Sequence, residues 1–222
     1  MARSATGIDP SLHALSARVR PTSQPREQLL PLLPALAALL PGGGLPRGSV
    51  VEVEAGGEGT GATTLAFSLL AAATAAGSWC AAVGVADAGI VALADMGVDL
   101  DHLALVPHPG ARWGEAAAVL LDGMDAVLVC PSAPARPTLA RRLAARARER
   151  RVALVVLSRR GRWPQGAELR LRVEAARWLG PGRGDGHLRG RWVELVVEGR
   201  RAATRQARAG LWLPSSSGAP AP

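Results

Sequence analysis

Apolar residues fall in short blocks along this chain, and the blocks alternate between two kinds. Ser49–Glu54, Trp79–Ala86, Leu103–Val106, Asp125–Cys130 and Val152–Leu157 are compact and rich in Val, Leu and Ala. They lack polar alternation and predict strands buried on both faces. Between them lie Gly61–Ala76, Gly89–Met96, Gly114–Leu121 and Arg136–Arg150, whose spacing and flanking glycines predict helices. Strand and helix in turn predict an α/β fold, with a mainly parallel sheet between helices.

After residue 160 the rhythm changes. Glu168–Leu179 and Leu188–Glu198 alternate in period two around the glycine-rich stretch 180–186, which predicts an antiparallel hairpin at one edge of the sheet. Ahead of the first strand, Gln28–Leu40 is a Leu/Pro segment expected to form short helical turns broken by Pro31 and Pro34. The expected organisation is an N-terminal arm and helical segment over 1–41, a core over 42–204, and a tail over 205–222. Leu211, Trp212 and Leu213 stand out in that tail as apolar residues in a small, polar context.

Composition sharpens this outline. Apolar residues are 48% of the chain but aromatics only 3%, so Ala, Leu and Val must build the core. Gly59–Ala86 carries no charge, yet it is rich in small residues and breaks at Gly77-Ser78. It reads as a buried helix and strand, not a membrane span. With no signal peptide visible in the polar residues 1–27, the expected location is cytoplasmic. Cys80 and Cys130 sit in apolar runs and read as small buried residues. His13, His102, His108 and His187 show no metal-ligand spacing, and no metal is expected. Charge is divided: residues 1–135 hold 6 Arg and 12 acids, residues 136–222 hold 20 Arg and 6 acids, and the chain is +8. Such asymmetry suits a nucleic-acid or acidic-protein partner.

The strongest chemical motif is residues 56–64. Gly56, Gly61 and Thr63 satisfy the phosphate-loop pattern Gly-x4-Gly-Lys-Thr, but Ala62 stands where lysine belongs, and the chain contains no lysine at all. Loop N–H groups could still face an anion. The cation that would neutralise the β- and γ-phosphates is missing. Gly56, Gly61, Thr63 and Thr64 are therefore candidate cofactor-binding residues of a degenerate site, with Thr63 expected to cap its own turn.

Several segments carry a family resemblance. Gly43-Gly44-Leu45-Pro46-Arg47-Gly48 followed by Val50-Val51-Glu52-Val53 resembles the lead-in strand of the RecA core. Glu58, Gly61, Thr63, Thr64 and Leu65 continue it, as do 97–103, Gly114-Glu115-Ala116-Ala117 and 125–129. The short length, degenerate site and Arg-rich ending make the chain more similar to the ImuA-type accessory proteins of bacterial inducible-mutagenesis cassettes. That resemblance implies a RecA-like P-loop fold. Against its pattern, Cys130 occupies the place of the metal-binding Asp. The catalytic Glu has no clear counterpart, and Asp87-Ala88-Gly89 stands there. These departures imply a pseudo-ATPase with no catalytic residues and no cofactor beyond weak residual ATP binding.

The implied function is a non-catalytic factor in DNA-damage tolerance and translesion synthesis. It would bind an inactive Y-family polymerase homologue and, through it, serve an error-prone C-family DNA polymerase. Arg208, Leu211, Trp212 and Leu213 are the expected partner contacts. Arg141, Arg142 and Arg146 on the predicted helix, with Arg159, Arg160, Arg162 and Trp163 in the loop after the strand at 152–157, are the expected surface for single-stranded DNA. The alternatives are a RecA-fold cell-division inhibitor and a residual DNA-dependent ATPase.

Overall fold

A computed structural model describes residues 28–57, 59–159, 161–180, 187–199, 207–215 and 220–221. Five helices of the α type and ten strands are found among them. In chain order they are β1 (Leu29–Pro31), α1 (Pro34–Ala37), β2 (Gly44–Pro46), β3 (Val50–Glu54), α2 (Ala62–Ala75), β4 (Cys80–Val83), α3 (Ile90–Asp95), β5 (Leu103–Val106), α4 (Trp113–Leu120), β6 (Ala126–Val129), α5 (Pro137–Arg150), β7 (Ala153–Ser158), β8 (Leu169–Leu179), β9 (Gly190–Gly199) and β10 (Ala207–Trp212).

Strands β3 to β10 form one eight-stranded sheet in the order β10-β9-β8-β3-β7-β6-β4-β5. The six strands from β8 to β5 in that order run parallel. β9 and β10 turn back antiparallel at the other edge. Alternate residues of the central strands feed two cores. Val51, Val53, Leu128, Val155 and Leu157 pack with α2 on one face. Val50, Val127, Val129, Leu154 and Val156 pack with α4 and α5 on the other. Burial on both faces is why these strands lack polar alternation. α2 is buried on nearly all sides, which accounts for its uncharged sequence. In α5, Leu143 and Ala147 face the sheet with Ala140, and the arginines take the remaining faces. Both cysteines are buried; burial, and then Asp125, pushes the Cys80 thiol up to about 12, so it stays protonated at neutral pH.

Two expectations are corrected. Leu29–Pro31 is not helical: β1 pairs antiparallel with β2, and Leu30, Leu32, Leu36 and Leu40 join the α2-side core. Proline spacing suits a two-stranded ribbon because its strands have free edges. The boundary at 41/42 thus falls inside one packed body. The boundary at 204/205 lies outside the described residues; beyond it, β10 is not a tail but a sheet strand running alongside β9 in six-residue register. Leu211 and Leu213 are buried in the core, 1% and 0% exposed, and Trp212 meets Trp192 edge-on at 5.4 Å. Gly210 is needed there: a Cβ on it would run into the Trp192 indole that lies across β10.

Candidate functional site

The loop between β3 and α2 lies at the carboxyl ends of the parallel strands, where open α/β sheets hold their ligands. It bends through Gly61, which precedes α2 with φ +96°. Thr60 Oγ1 donates to the Gly57 carbonyl (2.9 Å) and closes the turn. The loop borders an open cleft of about 540 Å³. Ala62 contributes only a methyl group at the first turn of α2.

Arg159, just beyond β7, reaches into this cleft. Its Nη2 donates to Thr63 Oγ1 (2.7 Å) and to both carboxylate oxygens of Asp87 (2.8 and 3.0 Å). Asp87 follows β4, so three separate segments meet at one guanidinium. Thr63 does not cap its own turn: α2 has no side-chain cap, and the Thr63 hydroxyl is turned to Arg159 instead. Cys130 follows β6 and is buried; its N–H donates to the Val83 carbonyl (2.8 Å). A thiol in that place brings no carboxylate to hold Mg²⁺. The residues present therefore do not fit the metal–nucleotide chemistry that the loop pattern suggests, and no step through a nucleotide follows from them. Among the described residues, no group of three or more His, Cys, Asp or Glu could hold a metal ion.

Behind the loop lies a second cation, Arg191 of β9. It shares the inward face of β9 with Val193 and Leu195 and is 5% exposed. Its Nε donates to the Leu213 carbonyl (2.8 Å), Nη1 to the Gly59 carbonyl (3.1 Å) and Nη2 to Thr64 Oγ1 (2.9 Å). The guanidinium carbon sits 4.6 Å from the centre of a Trp178 ring. Burial holds its pKa below the ordinary arginine value. Arg191 thus ties the loop, α2 and the end of β10 together, and it takes the Thr64 hydroxyl away from the cleft. A Cβ on Gly61 would strike this guanidinium. Gly61→Ala should therefore destabilise the fold by about 2 kcal/mol or more, from positive-φ strain plus the displaced arginine, read as a lower urea midpoint. An unchanged midpoint would mean the loop is not braced by Arg191.

A third feature is Glu52 in the middle of β3, 0% exposed. Its Oε1 accepts from Ser158 Oγ (2.8 Å) and the Trp163 backbone N–H (2.7 Å), its Oε2 accepts from Arg170 Nε (2.9 Å), and Arg170 Nη2 is ion-paired to the same oxygen at 2.9 Å. This carboxylate fixes where the chain goes after β7. Trp163 is consequently buried at 3% exposure, among the α5-side core residues, and cannot stack on a base as expected.

The remaining predicted nucleic-acid residues are dispersed. Arg141 and Arg142 are exposed on α5. Arg146 forms a bidentate pair with Asp122, whose carboxyl it holds below the usual range. Arg159 is engaged in the cleft, and Arg162 lies 3.7 Å from Glu54. Arg160 lies outside the described residues. Of the predicted partner contacts, Arg208 is exposed and 3.4 Å from Glu174, while Leu211 and Leu213 are core residues and Trp212 is half-buried. Sequence reading passed over Glu52 and Arg191. The first is one of two acids, with Glu54, in the short strand Val50–Glu54. The second has the same strand parity as Val193 and Leu195, a signal of burial that was there to be read.

The sequence profile of the MT3502 N-terminal domain matches residues 38–165, more than half of the chain. The chain belongs to this family. The match runs from the approach to β2 through the loop after β7, so it includes Ala62, Asp87, Cys130 and Arg159 but not Arg191 or β8–β10. The uncharacterized protein Rv3395c of Mycobacterium tuberculosis (strain ATCC 25618 / H37Rv) is 40% identical over 174 residues, 73% of this chain and 79% of that protein. Protein RecA of Rhodospirillum centenum (strain ATCC 51521 / SW) is 46% identical over 81 residues, 36% of this chain and 22% of RecA. This MT3502-family chain therefore shares a segment with RecA, not its full length. Among the described residues no helix is long and apolar enough to cross a membrane.

Proposed function

We propose that this chain is a non-catalytic accessory factor of DNA-damage tolerance that works by recruitment. The ImuA-type resemblance names its partner class: an inactive Y-family polymerase homologue, with an error-prone C-family DNA polymerase served through it. The similarity to RecA over 81 residues supports a DNA-damage role in general terms. The observation that carries the non-catalytic part is the closed set of bonds in the cleft. Thr63 and Asp87 both hold Arg159, Thr64 holds Arg191, and Ala62 and Cys130 offer neither cation nor carboxylate. Groups that would have to meet a phosphate meet one another.

Recruitment then falls to the surface. The exposed arginines Arg141 and Arg142 on α5 are the best-placed of the expected contacts, since the apolar residues of β10 are core. The test is capture of the Y-family homologue from the same genome by the full chain, compared with Arg141→Glu/Arg142→Glu, alongside an ATP hydrolysis assay with and without single-stranded DNA. Capture by the parent, at least tenfold weaker in the variant, with no turnover, is the expected result. DNA-dependent turnover would overturn the non-catalytic reading. No capture, with binding to the tubulin-like division GTPase instead, would favour a division inhibitor.

A further inference from the structure

At the carboxyl ends of β6 and β7, next to the cleft, two loops enclose a second, smaller pocket. Pro131, Pro134 and Ala135, on the way from β6 to α5, form one wall, and Arg162 and Trp163, beyond β7, form the other. The space is about 10 Å³, enough for one oxygen-sized group.

The Trp163 side chain is 3% exposed, and its Nε1–H is buried with no acceptor among the described residues. Buried donors are nearly always paired, so one left over marks a place where an acceptor belongs. The rest of the indole packs among the α5-side core, which leaves the pocket as the approach for that acceptor. The opposite wall leads directly into α5. That helix begins without a side-chain cap and with no acid in its first turn. Its unsatisfied N–H groups and its dipole make this end positive. Residues 136–145 then add Arg136, Arg141 and Arg142, all exposed, and no acid. Across the pocket, the Arg162 side chain is 56% exposed, with a loose ion-pair contact of 3.7 Å to Glu54.

An unpaired donor amid uncompensated positive charge calls for an anion. The opening admits a single oxygen between proline and alanine walls, which suits the flat tip of a carboxylate better than a phosphodiester with its two bulky ester arms. We propose that this pocket receives the side-chain carboxylate of an acidic segment on a partner protein. The leading oxygen accepts from Trp163 Nε1–H, the other faces Arg162, and the segment continues toward Arg141 and Arg142 on α5. This deepens the recruitment reading and rests on it, by naming what the partner must offer.

The experiment follows the proton–nitrogen NMR spectrum of the full chain during titration with a hexaglutamate peptide, so it needs no polymerase homologue. Trp163→Phe keeps a buried ring and removes only the unpaired donor, and the indole peak it abolishes is that of Trp163. The peptide is expected to move this peak. Trp163→Phe and Arg162→Ala should each weaken peptide binding about tenfold, the size of one hydrogen bond to a charged group, with the melting temperature preserved. A peak that stays in place up to millimolar peptide overturns the proposal. If the homologue is nevertheless captured, the recruitment reading stands and the pocket alone is removed. Peptide binding indifferent to Trp163→Phe also overturns it, because the contact is then a general attraction to the arginines. A peak moved by oligothymidylate and not by the peptide overturns it in favour of nucleic acid.

Discussion

Glu52→Ala is expected to remove about 3–5 kcal/mol of stability, the range for breaking a buried ion pair from one side. The carboxylate is wholly buried and accepts three hydrogen bonds, one of them from the Arg170 guanidinium with which it also forms an ion pair. Its loss leaves that guanidinium, whose side chain is only 19% exposed, without its main partner. It also strands the Ser158 hydroxyl and the Trp163 backbone N–H in the interior. Glu52→Gln should cost less, since the amide oxygen can still accept from Trp163 N–H, but its NH₂ then faces Arg170 with a donor against a donor. Urea denaturation of the two variants separates these cases by midpoint. A loss below about 1 kcal/mol in Glu52→Ala would show that water replaces the network, and the position of the 159–163 loop would need another cause.

Ending the chain after Thr204 is expected to do more: the shortened protein should fail to give a cooperative unfolding transition. Removing β10 takes away the Leu211 and Leu213 side chains, worth about 1.5–3 kcal/mol each when fully buried. It strips the ladder from β9 between Trp192 and Val197. It also deletes the Leu213 carbonyl that Arg191 Nε bonds, which leaves a buried cation less well satisfied beneath the loop. A domain of ordinary stability has about 5–15 kcal/mol in all, so this sum competes with the whole. Because a truncated chain can simply aggregate, the full-length double variant Leu211→Ala/Leu213→Ala gives the graded reading, with an expected loss of about 4–8 kcal/mol. Normal melting of either form would return residues 207–213 to the status of a dispensable tail.

Glu52 and β10 mark two places where local pattern and final structure part. The parallel core was legible because its strands are apolar almost without interruption, and only burial on both faces permits that. The β8–β9 hairpin was legible from its period-two alternation around glycines. β10 was not, because Ala207-Arg208-Ala209-Gly210 has no strong strand former, and its place depends on β9 offering a free edge. The β1–β2 ribbon was hidden for a similar reason: its two strands lie far enough apart in sequence that neither carries the pairing signal alone.

The site divides along the same line. Residue types were legible in the loop: Gly56, Gly61, Thr63 and Thr64 show the spacing, and Ala62 and Cys130 show what is missing. Which side chains the loop would meet was not. Arg159 is 96 residues from Thr63, and Arg191 is 127 from Thr64. Sequence by itself determined the element order of the parallel core, the α/β class and the residue types of the 56–64 loop, because periodicity and residue type are local properties. Tertiary structure alone decided that two arginines occupy the loop's hydroxyls, that Trp163 is buried and that β10 belongs to the sheet, because those outcomes depend on contacts between segments that only the folded sheet brings together.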